Sequence, residues 1–188
     1  MPKQKVTEKE ILYKSMKVFG AKGYHNTSMA NIAKECGLLK GSMYHYFSGK
    51  EALMQAVIEY LHKKYKEKVF SIAYQEDLTT RQKLEQYIGF SEKFFLGSND
   101  GCLMGNIALE TVNTNAQFAE SFKAFFQEWI NAMAHIFKEE YGEEQAIAIA
   151  KECVAEIEGA LMLKRVFKDD DYLHKAHQRI LNRQKNIN

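Results

Sequence analysis

Apolar residues recur along most of this chain at intervals of three and four, the spacing that lines one face of a helix. Residues 28–36 carry Met29, Ile32 and Ala33 on such a face, with Thr27 placed to cap the start and Gly37 to stop the end. Residues 40–46 follow as a compact second helix. Met43 and Phe47 turn inward there, while Lys40, Ser42, Tyr44 and His45 point out. Residues 50–68 predict a longer helix with Leu53, Ala56, Val57, Tyr60 and Leu61 on one side, and residues 81–96 another with Leu84, Tyr87, Ile88, Ser91, Phe94 and Phe95. A glycine-bounded loop at 97–101 separates these from helices over 102–112, 116–141, 143–168 and 172–183, before a frayed tail at 184–188. The single proline is Pro2, so nothing interrupts these helices, and the chain is expected to be all-α.

Two short helices across a tight glycine turn form helix-turn-helix grammar. The second has a cationic, hydroxylic and aromatic outer face, which suits a DNA major groove. The segment resembles the DNA-binding signature of the TetR family of one-component transcriptional regulators. The resemblance is carried by Thr27, Ser28, Met29, Ile32, Ala33, Gly37, Leu38, Lys40, Gly41, Met43, Tyr44, Tyr46, Phe47, Lys50 and Leu53. Upstream, residues 11–24 are similar to the family's first helix. Leu39 departs from the pattern: the family usually has a small or hydroxylated residue before the lysine, and leucine has no oxygen with which to cap a helix.

The resemblance implies a three-helix DNA-binding domain at 1–49 and a larger helical effector-binding and dimerisation domain at 50–188, with 50–68 as the linking helix. It implies a repressor that binds a palindromic operator as a homodimer and is released by a small apolar, aromatic or electrophilic effector. Thr27, Tyr44, Tyr46 and Lys50 are expected at phosphates, Lys40, Ser42 and His45 at base edges, with Ser28 and Gly41 completing the interface. In such proteins the last two helices pair with their copies in a second subunit.

Charge sharpens this picture. Through residue 68 the chain carries thirteen lysines against six glutamates and no arginine, whereas the remainder carries thirteen basic against eighteen acidic residues. A basic head on an acidic body is the layout of a phosphate-binding module joined to a regulatory one. The commonest bidentate reader of guanine is absent from the head, so other side chains must do the reading.

The body is rich in aromatic residues and methionine. Phe94, Phe95, Met104, Phe125, Trp129, Met133 and Met162 are candidates to line an effector pocket, with Asn106 and Glu110 to orient the ligand. The segment 101–110, GCLMGNIALE, resembles an element of one TetR branch in which some members respond to electrophiles or oxidants through the cysteine. That implies Cys102 as a candidate sensor, with Lys164, a lysine in an apolar helical stretch, as its possible partner. Packing of a small hydrophobe is the competing reading of Cys102.

Other chemistries find little support. No phosphate loop, dinucleotide fingerprint or Ser-His-Asp order is present, so no cofactor is expected. His174 and His177 lack a third ligand nearby, so no metal is expected. No apolar run reaches the length of a membrane span, the N-terminal ten residues lack the apolar core of a signal peptide, and three cysteines fit a reducing compartment. A cytoplasmic protein without membrane partners is expected. The alternative from another class is a helical thiol-dependent stress-response enzyme or carrier using Cys102, which would leave the basic head unexplained.

Overall fold

Three helices begin on the same reciprocal device, in which a hydroxyl caps the third helical backbone N–H and the third side chain returns a bond to the cap. Thr7 and Glu10 start α1 (Glu8–Lys22), Ser28 and Asn31 start α2 (Met29–Cys36), and Thr79 and Gln82 start α5 (Thr80–Phe95). The computed structural model describes residues 6–96 and 101–184. Its other helices are α3 (Lys40–Met43), α4 (Lys50–Lys68), α6 (Leu103–Thr111), α7 (Ala116–Tyr141), α8 (Glu143–Phe167) and α9 (Asp171–Leu181), with a 3₁₀ turn at Phe70–Tyr74. All regular structure among the described residues is helical, as the periodicity predicts. The loop expected at 97–101 and the tail at 184–188 fall largely outside the described residues.

The chain divides into two units. The first comprises Met1–His62 and Leu103–Phe122, the second Lys63–Cys102 and Lys123–Asn188. The first therefore reaches past residue 49, taking in most of α4, all of α6 and the start of α7. Ile11, Phe19, Ile32, Met43, Leu53 and Phe118 are buried at its centre.

The second unit is built on aromatic packing. The fully buried Phe125 ring has the rings of Phe126, Tyr65, Phe70 and Trp129 around it at 5.2, 5.3, 5.6 and 6.1 Å between centroids. A polar brace joins α5 to α9: Ser91 Oγ lies 3.0 Å from His177 Nε2, and Glu92 Oε1 lies 3.2 Å from His174 Nδ1. Burial holds the His177 pKa below the ordinary histidine value. The two histidines thus serve a carboxylate and a hydroxyl. Among the described residues no group of three or more ligating side chains is arranged for a metal, and no helix is long and apolar enough to cross a membrane.

Deleting a ring from this interior should leave a cavity. Phe137→Ala, at a side chain with no exposed surface, is expected to cost about 3–5 kcal/mol in urea unfolding. Leu109→Ala, at a side chain 82% exposed, should stay within about 0.5 kcal/mol.

Candidate functional site

The turn between α2 and α3 is set by Gly37, whose φ of 69° and ψ of 27° lie in the left-handed region. That conformation lets the Gly37 and Leu38 N–H groups reach back to the Lys34 and Ala33 carbonyls at 3.1 and 2.9 Å. The helix that follows is only four residues long. Tighter turns then carry the chain on, with the N–H groups of Tyr44, His45 and Tyr46 donating to the carbonyls of Gly41, Ser42 and Met43.

Four contacts hold this short element. Met43 and Phe47 are buried beneath it. The Tyr46 hydroxyl donates to the Val6 carbonyl at 2.9 Å. The Lys50 ammonium donates to the Tyr24 carbonyl at 2.9 Å and sits 4.2 Å above the Tyr24 ring. Lys40, Gly41, Tyr44 and His45 are thereby left exposed, with Ser42 half-buried.

Several side chains expected at DNA have inward work. Thr27, expected to cap α2 and meet a phosphate, is 2% exposed and donates its hydroxyl to the Gly23 carbonyl at 2.7 Å. The cap is Ser28, whose hydroxyl accepts from the Asn31 N–H at 3.2 Å. Ser28 has the extended backbone of a cap, at φ −114° and ψ 158°. Tyr46 and Lys50 act in this geometry as internal struts.

Glu110 is also placed differently from the expectation that it orients a ligand. It belongs to α6 in the first unit, where its carboxylate accepts from the backbone N–H groups of Tyr24 at 2.9 Å and His25 at 3.2 Å. The His25 ring Nε2 lies 3.1 Å from the Glu110 carbonyl oxygen. Glu110 thus clamps the backbone donors of the loop between α1 and α2, whose Tyr24 and Gly23 carbonyls are held by Lys50 and Thr27. Gly23 makes room for it: φ is +76°, and a Cβ at that position would lie 2.5 Å from a Glu110 oxygen. Periodicity could not find a partner lying 86 residues away in sequence.

The second unit contains a small enclosed cavity walled by Tyr65, Tyr87, Phe90, Phe95, Cys102 and Trp129. Its volume is ≈ 10 Å³, about the space of one water. Among the described residues, Glu158 Oε1 is buried without a hydrogen-bond partner, and the Trp129 indole interacts with the Tyr87 phenol. Burial raises the Glu158 pKa, opposed by a hydrogen bond with Cys102. Burial also pushes the Tyr65 and Tyr87 phenols well above their ordinary value, so both stay protonated donors.

Of the side chains expected in a pocket, Phe95, Cys102 and Trp129 line this cavity, and Phe125 backs it through its ring contacts with Tyr65 and Trp129. Met133 is buried elsewhere on α7. Phe94 and Met162 are 52% and 56% exposed. Met104, Asn106 and Glu110 lie on α6 in the other unit. Lys164, expected as a partner of Cys102, is buried and pairs with Asp170 Oδ1 at 2.8 Å.

Comparison with known proteins places the chain in a family. The family described as "Bacterial regulatory proteins, tetR family" matches residues 11–57, and "Transcriptional regulator LmrA/YxaF-like, C-terminal domain" matches residues 82–179. The HTH-type transcriptional regulator YxaF of Bacillus subtilis is 28% identical over 167 residues, covering 87% of each chain. YuxN of the same organism is 45% identical over 60 residues, which are 32% of this chain and 21% of that protein, so the match spans about a fifth of YuxN. A TetR transcriptional regulator from Legionella pneumophila superposes with a TM-score of 0.87 at 23% identity, covering 98% of this chain and all of that one. That last likeness concerns the fold.

The clamp is open to a direct test. In Glu110→Ala the amides of Tyr24 and His25 lose a charged acceptor and should exchange with deuterium roughly ten-fold faster or more. Protection unchanged from wild type would show that the loop is held by something else.

Proposed function

This chain belongs to the tetR family of bacterial regulatory proteins, and from that premise we propose that it is a repressor acting as a homodimer on a palindromic operator and released by a small effector. That it is a DNA-binding transcriptional regulator follows from the family. The observation that carries the finer reading is the surface at Lys40, Gly41, Tyr44 and His45. Its side chains face solvent while Met43 and Phe47 fix the backbone behind them. Residues 1–49 supply the DNA-binding domain, and 50–188 the effector-binding and dimerisation domain. Lys40, Ser42 and His45 reach base edges, Tyr44 a phosphate, and the lysine surplus of the head provides the salt-sensitive part of the affinity.

Pairing of two copies is supported by α8, which leaves Ile147, Met162, Val166 and Phe167 exposed. One short recognition element reads few base pairs, and a two-fold pair reading a palindrome multiplies both affinity and specificity.

The effector is an apolar or aromatic molecule that enters at the cavity of the second unit. Chain continuity supplies a route to the head. Cys102 lines the cavity, the next residue begins α6, and Glu110 on α6 holds the loop that leads into α2. The linking helix α4 also runs through both units and carries the movement to the separation of the two heads. A second reading is favoured by the position of the Cys102 thiol in the cavity wall: an electrophile or oxidant would modify it there and disturb the same wall.

Two outcomes test this function. Lys40→Ala and Tyr44→Ala should each lower operator affinity in a mobility shift by about 1–2 kcal/mol, the Tyr44 effect falling equally on all sequences. Unchanged affinity in both would remove α3 from the interface. Trp129 is the only tryptophan, so its fluorescence reports ligand binding. A releasing ligand should bind more weakly when operator is present, because coupling is reciprocal. Release by electrophiles that disappears in Cys102→Ser assigns them to the thiol, and release that persists leaves the non-covalent cavity alone.

A further inference from the structure

Leu39 is the part of the head that its folding does not explain. It occupies the cap position of α3 with extended backbone, φ −72° and ψ 146°, and it makes no side-chain cap. Its side chain is 80% exposed. Leu38 beside it is half-buried, and Met29, Ile32, Met43 and Phe47 already fill the interior. An isolated exposed leucine is ordinary on a protein surface. This one sits where a helix-turn-helix presents its first side chains to base edges, immediately before the exposed Lys40.

The chemistry around it narrows the role. The outward side chains that follow are an ammonium, a hydroxyl, a phenol and an imidazole, all hydrogen-bond formers. No arginine exists in the first 68 residues to take a guanine edge bidentately. The one apolar feature on the major-groove edge of a base pair is the C5-methyl of thymine, and apolar side chains are what recognise it. We infer that Leu39 is a specificity-determining residue that packs on the C5-methyl group of a thymine in the operator half-site. The inference rests on the DNA-binding reading above, and the side chain acts by contact area alone.

The test uses the full chain and duplexes that it enriches from a random-sequence pool. Each thymine of an enriched duplex is replaced singly by deoxyuridine, which pairs identically and lacks only the methyl. The wild type should lose affinity about four-fold at one position per half-site, the factor for removing one buried methyl group from an apolar contact. Leu39→Ala should bind the thymine duplex more weakly by a similar factor and bind thymine and deoxyuridine duplexes alike. An exposed side chain can be shortened without unfolding the head, and an unchanged melting temperature checks this. The inference falls if no position is sensitive to deoxyuridine, or if the sensitivity survives in Leu39→Ala. Either result would leave DNA binding standing. If no duplex is enriched, the DNA-binding reading falls as well, and Leu39 with it.

Discussion

A helix of four residues has no stability of its own, because nucleation fixes several residues for very few hydrogen bonds. The element α3, proposed above to read DNA, is of this kind, and the head is organised around that constraint. Its backbone is held from beneath by Met43 and Phe47, from the N-terminal side through the Tyr46 bond to Val6, and on leaving through the Lys50 bond to Tyr24. Two of these tethers use side chains that were expected at phosphates, Tyr46 and Lys50. A short reader gains a fixed pose by using part of its polar equipment internally, and what remains outward is correspondingly small: Leu39, Lys40, Tyr44 and His45, with Ser42 partly available.

The same economy explains Glu110. The loop that Thr27 ends contains Tyr24 and His25, whose backbone donors have no helical partner. A carboxylate is the strongest neutraliser of two such donors, and charge-assisted bonds of this kind are about twice as strong as neutral ones. The clamp fixes the entry into α2 and so the relation of α1 to the helix pair that follows. It also places control of that entry on α6, a helix whose first residue follows the cavity-lining Cys102. A shift of α6 along its own axis would therefore reach the loop through Glu110.

Which parts of this were legible in the sequence follows from what periodicity encodes. Helices and their buried faces were readable because spacing of three and four records which side is apolar; Met43, Phe47, Leu53 and Leu84 are buried as that pattern requires. Gly37 was readable because a left-handed turn needs a residue without Cβ. Partners at long range were not. Nothing local distinguishes Glu110 as a clamp from Glu110 as a ligand contact, or tells that Lys164 meets Asp170. Ser28 and Thr27 are both hydroxylated neighbours, and only the partner each hydroxyl finds, the Asn31 N–H or the Gly23 carbonyl, tells which one caps. The aromatic richness of residues 81–141 pointed to a pocket, yet the same rings also form the core, and Phe94, Met104 and Met162 show how widely one compositional signal is distributed.

The closed state of the cavity bears on how an effector can work. A volume of ≈ 10 Å³ cannot receive an aromatic molecule, so any ligand binds a conformation in which wall side chains have moved. On α5, Ser91 is tied to His177 and Glu92 to His174. The preceding residue, Phe90, has its ring 6.4 Å from Tyr65 and stacked at 6.3 Å on the half-exposed Phe94. Opening separates apolar contacts and is unfavourable, which lowers apparent affinity by the fraction of molecules already open. A ligand excluded from the closed form has the largest possible difference in affinity between the two states. That difference sets the limit on how far an effector can shift the equilibrium. A small, aromatic, nearly filled cavity is therefore better suited to an effector switch than a roomy preformed one, provided that the closed form is the one that holds DNA.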